Sequence, residues 1–477
     1  MFDDLLETVT RIDRDVSDAE RVDQLTALER VKAACAAAQA RITVDFAESQ
    51  EQVATAWRER ARQCADESDF EGWRAAREQA QRASVEPAED RGSRRRPGAA
   101  IGVSGQVALA RRESPSRGAG YLATALALVR HLPRTLAALD VGAISEWRAE
   151  LVVRETAVLS TQQQEAVDAE LFDGLGVEGV GRLGNRELVR RVRAIAYRLD
   201  AESVMARCRG EEKQRRLTLR PAPDTMSYLT AYLPVAQGVA VFAALSAAAA
   251  AGRATGDERS TGQLMADLLV ERVTGQPRAA AVPVEVQVVI TDRALFTGAF
   301  GAGDETPAQV PGYGTVPAAW VRDLLATRGG PTAAQTWLRR LFTHPHDGTL
   351  VGMDSTRRLF DGGLRRFLIA RDGTCRTPWC DAPVRQIDHV VDHAAGGETS
   401  AHNGQGLCVQ CNHTKQLPGW CARPEPAPPP GRWRRPTIVL ITPTGHRYAS
   451  TSPPVLPGEP LEQSSPLERH LETLLAA

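Results

Sequence analysis

Five of the eight cysteines in this 477-residue chain fall within fifty residues: Cys375, Cys380, Cys408, Cys411 and Cys421. Cys375 and Cys380 enclose four residues, Cys408 and Cys411 enclose two, and the two pairs lie 28 residues apart. The chain begins Met1-Phe2-Asp3-Asp4, with neither a basic start nor an apolar run, so no secretory signal is read and a cytoplasmic location is expected. Paired disulfides are disfavoured in a reducing compartment, and clustered cysteines there read as metal ligands. Four thiolates at this spacing predict a structural Zn²⁺ site with a closed tetrahedron, which holds a fold together rather than reacting. Cys35, Cys64 and Cys208 lie elsewhere and are expected to be buried thiols, Cys35 because it falls on an apolar helical stripe.

Charge separates the same region from the rest. Lys+Arg is 58 and Asp+Glu 59, a balance that excludes a globally basic or a mostly acidic chain. Residues 351–450, however, hold 13 basic and 8 acidic residues, net +5, whereas the first 350 and the last 27 each sum to −3. Only Lys32, Lys213 and Lys415 are lysine. Arginine suits phosphate recognition, but its excess runs through the whole chain, as codon bias would also produce.

Apolar periodicity predicts helix over most of the N-terminal 350 residues. Val22, Leu25, Leu28, Val31, Cys35, Ala38, Ile42 and Phe46 recur at spacings of three and four, one stripe of a long helix. Thr135–Thr156 reads as two helices around Gly142, either a helix-turn-helix or simply a packed pair. Arg215–Leu233 reads as a hairpin broken at Pro221–Asp224. The uncharged stretch Thr225–Gly252 is long enough for a membrane span, but its Ala-rich half predicts a buried helix and no membrane contact. Val284–Ile290 reads as a strand, Thr336–Met353 as a second hairpin, Ser84–Ala100 and Pro424–Pro436 as linkers, and Pro466–Leu475 as a last helix. No P-loop is present, because none of the lysines follows glycine. Gly118–Ala123 fits a dinucleotide-binding pattern but follows a loop rather than a strand, and there is no G-x-S-x-G elbow.

Between the cysteine pairs lie groups able to do chemistry. Asp388-His389 closes a predicted strand, Val384–Val391. Gly396-Gly397 supplies a turn, Asn403 follows in a loop, and Cys408 opens a short helix carrying Asn412, His413 and Lys415. A strand, a hairpin and a helix clipped by zinc would bring residue 412 opposite His389, with room for a hard divalent cation such as Mg²⁺ between Asp388 and Asn412.

The pattern C-x4-C…DH…GG-x-T…N…C-x2-C-N-x2-K over Arg371–Gln416 resembles the HNH endonuclease module, a ββα-metal fold. Pro133-Arg134-Thr135, Ser260–Thr274 and Pro443–Tyr448 resemble actinobacterial proteins of the 13E12 repeat family, which place domain of unknown function 222 before such a module. The resemblance implies a mainly α (α+β) N-terminal domain and a small C-terminal zinc-clipped module. Its boundaries would be a helical region 1–84, a linker 85–100, a helical domain with a few strands 101–355, the HNH module 360–422, and a proline-rich linker and tail 423–477. It implies a metal-dependent endonuclease acting on DNA. His389 would be the general base, Asp388 a ligand of the catalytic cation, and Asn403 the residue that orients His389. Asn412 or His413 would be the second metal ligand, and Lys415 would hold a phosphate. Two other readings share the motifs. A zinc-clipped DNA-binding protein without cleavage needs the cysteines but not Asp388, His389 and Asn403 together. A helical interaction protein with a vestigial module needs none of them.

Overall fold

A computed structural model describes residues 2–83, 101–276, 278–279, 290, 294, 306–310, 313–327, 362–425 and 435–453. The predicted linker Ser84–Ala100, the strand Val284–Ile290 apart from its last residue, the hairpin Thr336–Met353 and the helix Pro466–Leu475 lie outside the described residues, as does most of Pro424–Pro436. The chain divides into two units. One comprises Met1–Arg209 with Gln416–Trp420 and Thr442–Thr444, and the other the remainder.

The first unit is helical: α1 (Phe2–Thr10), α2 (Asp18–Asp66), α3 (Phe70–Ala83), α4 (Ile101–Ala110), α5 (Pro115–His131), α6 (Pro133–Asp140), α7 (Glu146–Thr156), α8 (Thr161–Asp173), α9 (Gly176–Arg182) and α10 (Asn185–Leu199), with α11 (Ala201–Glu212) leading out of it. The sequence marks several starts. Ser17 and Glu20 form a reciprocal capping box at α2, and Ser160 and Gln163 repeat it at α8. Pro115 and Pro133 stand in the first turns of α5 and α6, where a missing N–H costs nothing. The core gathers Leu128, Leu132, Leu139, Val152, Val167 and Leu188 from α5 to α10.

Two positions show how the chain specifies its turns. Gly142 has φ +74° between α6 and α7, and a Cβ there would lie 2.6 Å from the Arg30 Cα. A side chain is therefore excluded on both conformational and steric grounds. Buried Asp168 caps α6, accepting from the Arg134 N–H at 2.7 Å and the Thr135 N–H at 3.0 Å. Burial pushes its pKa up against those hydrogen bonds.

The α2 stripe is not the face that packs. α2 buries Ala33, Ala36, Ala37, Ala40, Val44 and Ala47, whereas Val22, Leu25 and Ile42 are 61%, 65% and 60% exposed. The small alanines let neighbouring helices approach closely, so the larger apolar residues point outward. Cys35 turns out with them and is exposed, as is Cys208. Of the three thiols expected to be buried, Cys64 alone is.

In the second unit the hairpin forms as read, β1 (Arg216–Pro221) antiparallel to β2 (Ser227–Tyr232). It leads into α12 (Val235–Ala254) and α13 (Thr261–Thr274), the latter capped by Ser260 and Gln263. The expected burial of the Ala-rich helix fails. Only Leu245 and Ala249 of α12 are buried, while Val235 and Phe242 are 84% and 66% exposed. By length and hydropathy α12 could cross a membrane. A small hairpin, β3 (Ala308–Val310) with β4 (Gly314–Val316), precedes α14 (Ala318–Thr327). The C-terminal part runs α15 (Gly362–Asp372), β5 (Gln386–His389), β6 (Gly404–Leu407), α16 (Val409–Lys415), and then a three-stranded antiparallel sheet of β7 (Cys421–Pro424), β8 (Thr437–Ile441) and β9 (Arg447–Thr451). Much of that sheet lies within 423–477, the stretch read as linker and tail.

Glu155 of the first unit is a buried carboxylate held by arginines. The Glu155 side chain is 1% exposed and accepts from Arg193 at 2.8 Å and Arg207 at 2.9 Å. Burial pushes its pKa up, but the Arg193 and Arg207 hydrogen bonds outweigh this and hold it at about 2. A depressed carboxylate stabilises the fold above its unfolded pKa and loses that contribution as pH falls toward the folded value. Glu155→Gln should therefore cost about 2–3 kcal/mol at pH 7, below the value for a fully buried pair because the arginines can resolvate. The difference from wild type should shrink between pH 5 and 2 in urea melts. A thiol reagent should modify Cys35 and Cys208 in the native protein and Cys64 only after denaturation, as peptide mass mapping would report.

Candidate metal centre

The loop after α15 folds back on itself at once. An isolated bridge joins Thr374 to Pro383, the Cys375 N–H donates to the Ala382 carbonyl at 2.8 Å, and Trp379 and Asp381 take left-handed backbone angles of φ +59° and +48°. That reversal brings Cys375 and Cys380 side by side. Leu407 ends β6 and Cys408 enters α16, with the Cys411 N–H directed at the Cys408 sulfur at 3.4 Å.

All four sulfurs lie within 4.8 Å of one another. Cys380 and Cys408 are 3.7 Å apart, and Cys380 and Cys411 3.5 Å. A tetrahedron with Zn–S arms of about 2.3 Å has edges of about 3.8 Å, so the donor set fits one Zn²⁺. Its electrostatics point the same way. Hydrogen bonds from Cys375, Cys380 and Cys411 draw Cys408 far below an ordinary thiol. Contacts with Cys375 and Cys408 push Cys380 far above it against the opposing pull of Cys411, and contacts with Cys375, Cys380 and Cys408 push Cys411 far above it. Four sulfurs this close cannot all ionise without a cation between them. Sequence spacing singled out the four cysteines that the fold brings together.

Other ties to this cluster were not read from the sequence. Arg371, Asp372 and Arg376 are each at most 5% exposed. Asp372 accepts from the Gly406 N–H at 2.7 Å and pairs with Arg371 at 2.7 Å. Arg376 donates to Ser452 and to the Pro436 carbonyl, which ties the cysteine loop to the C-terminal sheet. Burial draws the Arg376 guanidinium down to about 10 despite Asp372 nearby. The sequence signal was the run of charges flanking Cys375, which reads equally well as surface.

Between the pairs, β5 and β6 are antiparallel, with His389 opposite Gly404 and Gln386 opposite Leu407. The strand is four residues long, shorter than Val384–Val391. The connection is held by Asn403. Its side-chain oxygen accepts from the Val391 N–H at 2.9 Å, and its amide donates to the carbonyls of Val391 at 3.0 Å and Glu398 at 2.8 Å. A Cβ on Gly397 would lie 1.8 Å from the Val391 carbonyl oxygen, so only glycine passes there. Asn403 therefore fixes backbone, and the contact to the His389 ring comes from another residue. Thr399, 3% exposed, shares a 2.8 Å hydrogen bond with His389 Nε2. Burial lowers the His389 pKa, with Asp388 pulling the other way, and His393 meets its ring edge-on at 5.6 Å.

The helix does not place residue 412 opposite His389. The Asn412 amide donates to Gln386 at 2.8 Å, three residues earlier on β5. Lys415, one turn on, reaches the strand end, donating to Asp388 at 2.8 Å, to Asp392 at 2.7 Å and to the His389 carbonyl at 2.6 Å. Gln386 and Asp388 share one strand face, and Asn412 and Lys415 share one helix face, so Asp388 and Asn412 still look into the same seam. The Asn412 side-chain oxygen is buried there with no hydrogen-bond partner. His413 is exposed on α16.

The fold and the cluster define a mainly helical protein with a four-cysteine metal-ligand set near its C-terminal end. The model of the domain of unknown function DUF222 matches residues 73–372, more than half of the chain, and the chain belongs to that family. No curated protein and no solved structure matches it. The cysteine cluster begins just past the matched segment.

Purified protein should carry one tightly bound zinc per chain by elemental analysis, and Cys408→Ser or Cys411→Ser should lose it. Stripping the metal should remove folding free energy on the order of 10 kcal/mol from this segment. Amide exchange should then rise across 375–451 and stay unchanged in α5 to α10.

Proposed function

We propose that residues 371–416 form an HNH-type endonuclease module that hydrolyses phosphodiester bonds of DNA. The observation that carries this reading is the seat of His389. It stands at the end of a strand beside Asp388, half-buried, with its ring fixed by Thr399 and the following loop fixed by Asn403. An Nε2–H donated to Thr399 leaves the lone pair on Nδ1, which we assign as the acceptor of the proton from the attacking water. Burial lowers the His389 pKa and so favours the neutral ring that a base requires. Asp388 and the buried oxygen of Asn412 form a hard oxygen donor pair suited to Mg²⁺ or a similar divalent cation, and the exposure of His413 argues for Asn412 as the second ligand. Such a cation would supply Lewis-acid polarisation of the phosphate and stabilise the leaving oxygen. The zinc would serve only to hold β5, β6 and α16 in place. We assign Lys415 to Asp388 in the resting site and to the DNA phosphate once a cation takes its place.

That same ion pair favours a second reading. Lys415 already neutralises Asp388, as it would in a zinc-clipped DNA-binding protein with no cleavage.

Supercoiled plasmid with Mg²⁺ or Mn²⁺ separates the two. Wild type should convert it to nicked or linear form. His389→Ala should lower the rate by at least about 100-fold, and Thr399→Val by a smaller factor through loss of ring orientation. Equal conversion by wild type and His389→Ala would exclude the catalytic assignment and leave the binding reading.

A further inference from the structure

The α2–α3 hairpin carries a cleft of its own. A turn at residues 67–69 returns the chain from α2 to α3, with Asp69 capping the Gly72 N–H at 2.9 Å. On α2, Arg58, Ala61 and Arg62 follow the i, i+3, i+4 spacing of one face. On α3, Trp73, Arg77 and Ala80 follow i, i+4, i+7. These two faces line a cavity of about 400 Å³ whose walls hold three guanidinium groups and an indole and no carboxylate.

The residues 57–83 that make the hairpin contain as many acidic as basic side chains, six of each. The segregation is therefore positional: three of the six arginines line the cleft and none of the acids does. Arg58 has Glu51 at 2.6 Å. Neither Arg62 nor Arg77 pairs with a carboxylate among the described residues. Arg77 lies over the Trp73 ring at 4.9 Å, which fixes its guanidinium and reduces the side-chain entropy that binding would cost. Arg62 and Arg77, the two without a carboxylate partner, repel one another across the cleft, and an anion there relieves the repulsion. Guanidinium groups in a fixed fork match phosphate oxygens in particular.

We infer that this cleft holds the phosphate backbone of duplex DNA, as a second contact remote in sequence from the His389 site. The choice of DNA over another polyanion rests on the proposed nuclease reading. The cleft chemistry alone specifies phosphate.

The test is anisotropy of a short labelled duplex with the full-length, zinc-loaded chain, without added divalent cation so that nothing is cleaved. Arg62→Gln/Arg77→Gln should weaken binding at least about tenfold and make log K against log salt shallower by about 2, since each lost phosphate contact removes about 0.9 from the slope. Arg60→Gln/Arg74→Gln removes the same charge from the same helices outside the cleft and should change affinity less than about twofold on that electrostatic scale. Arg62→Lys/Arg77→Lys keeps the charge and should retain most of the binding. Equal loss in the cleft and control pairs, loss in the lysine pair as large as in the glutamine pair, or no loss in any, would overturn the assignment. Displacement of the duplex by polyglutamate or inorganic phosphate at matched charge would overturn the choice of DNA. Because the readout is binding, an inactive nuclease site in the plasmid assay would not alter it, and the two readings fail separately.

Discussion

Four sulfurs within 4.8 Å of one another set what the C-terminal segment can be. The elements around them are too small to hold themselves: two four-residue strands and a seven-residue helix. Such pieces bury little apolar surface, and a helix of two turns is unstable alone. A metal that binds only the folded arrangement makes the arrangement stable. With a metal bound there, everything placed by β5 and α16, including His389, Asp388, Asn412 and Lys415, would inherit its position from the cysteine cluster. The buried Arg371–Asp372–Arg376 set then passes the constraint outward, since Asp372 holds Gly406 of β6 and Arg376 holds the end of the terminal sheet.

The helical unit solves a different problem with similar chemistry. Its arginines outnumber its lysines overwhelmingly, and a guanidinium can share several acceptors in fixed geometry. Glu155 shows the consequence. A carboxylate with a side chain 1% exposed survives as an anion because Arg193 and Arg207 satisfy both oxygens from α10 and α11. Asp168 shows the contrary case, a buried carboxylate satisfied by backbone and hydroxyl donors, and there burial wins and the pKa rises. The same burial penalty yields opposite outcomes according to whether the donors carry charge.

A sequence is most legible where one residue type has few physical uses. Cysteine spacing identified a cluster that the fold assembles, whereas the proline and Ser-x-x-Glu/Gln signals at the starts of α2, α5, α6, α8 and α13 went unread. Periodicity found α2 but chose the wrong face, because hydrophobicity scales favour Leu and Ile over the alanines that allow close helix approach. Cys35 was misplaced with that face. The Ala-rich stretch was correctly a helix, yet composition could not say that α12 would leave most of its surface uncovered among the described residues. Around His389, the residue types were legible and their contacts were not. Asn403 was expected at the ring and is spent on three backbone groups, while Thr399 does the orienting. Both are small polar residues in one hairpin loop. Only the path of the loop through Gly397 decides which reaches the imidazole.

Lys415 is where the two functional readings meet in a single contact. An ammonium 2.8 Å from Asp388, with a side chain 7% exposed, compensates the carboxylate as a bound cation would. In a site whose only role is to bind DNA, that pair is complete, and the buried oxygen of Asn412 is an unsatisfied acceptor with no purpose and a cost of about 1–3 kcal/mol. On the endonuclease reading the same two facts fit together. A doubly charged ion would draw on both Asp388 and Asn412, displace a singly charged one from the carboxylate, and release Lys415 toward an incoming phosphate. The orphan oxygen is therefore the stronger of the two observations, because the binding reading leaves it unexplained and the catalytic reading uses it. The ion pair of Lys415 with Asp388 is compatible with both.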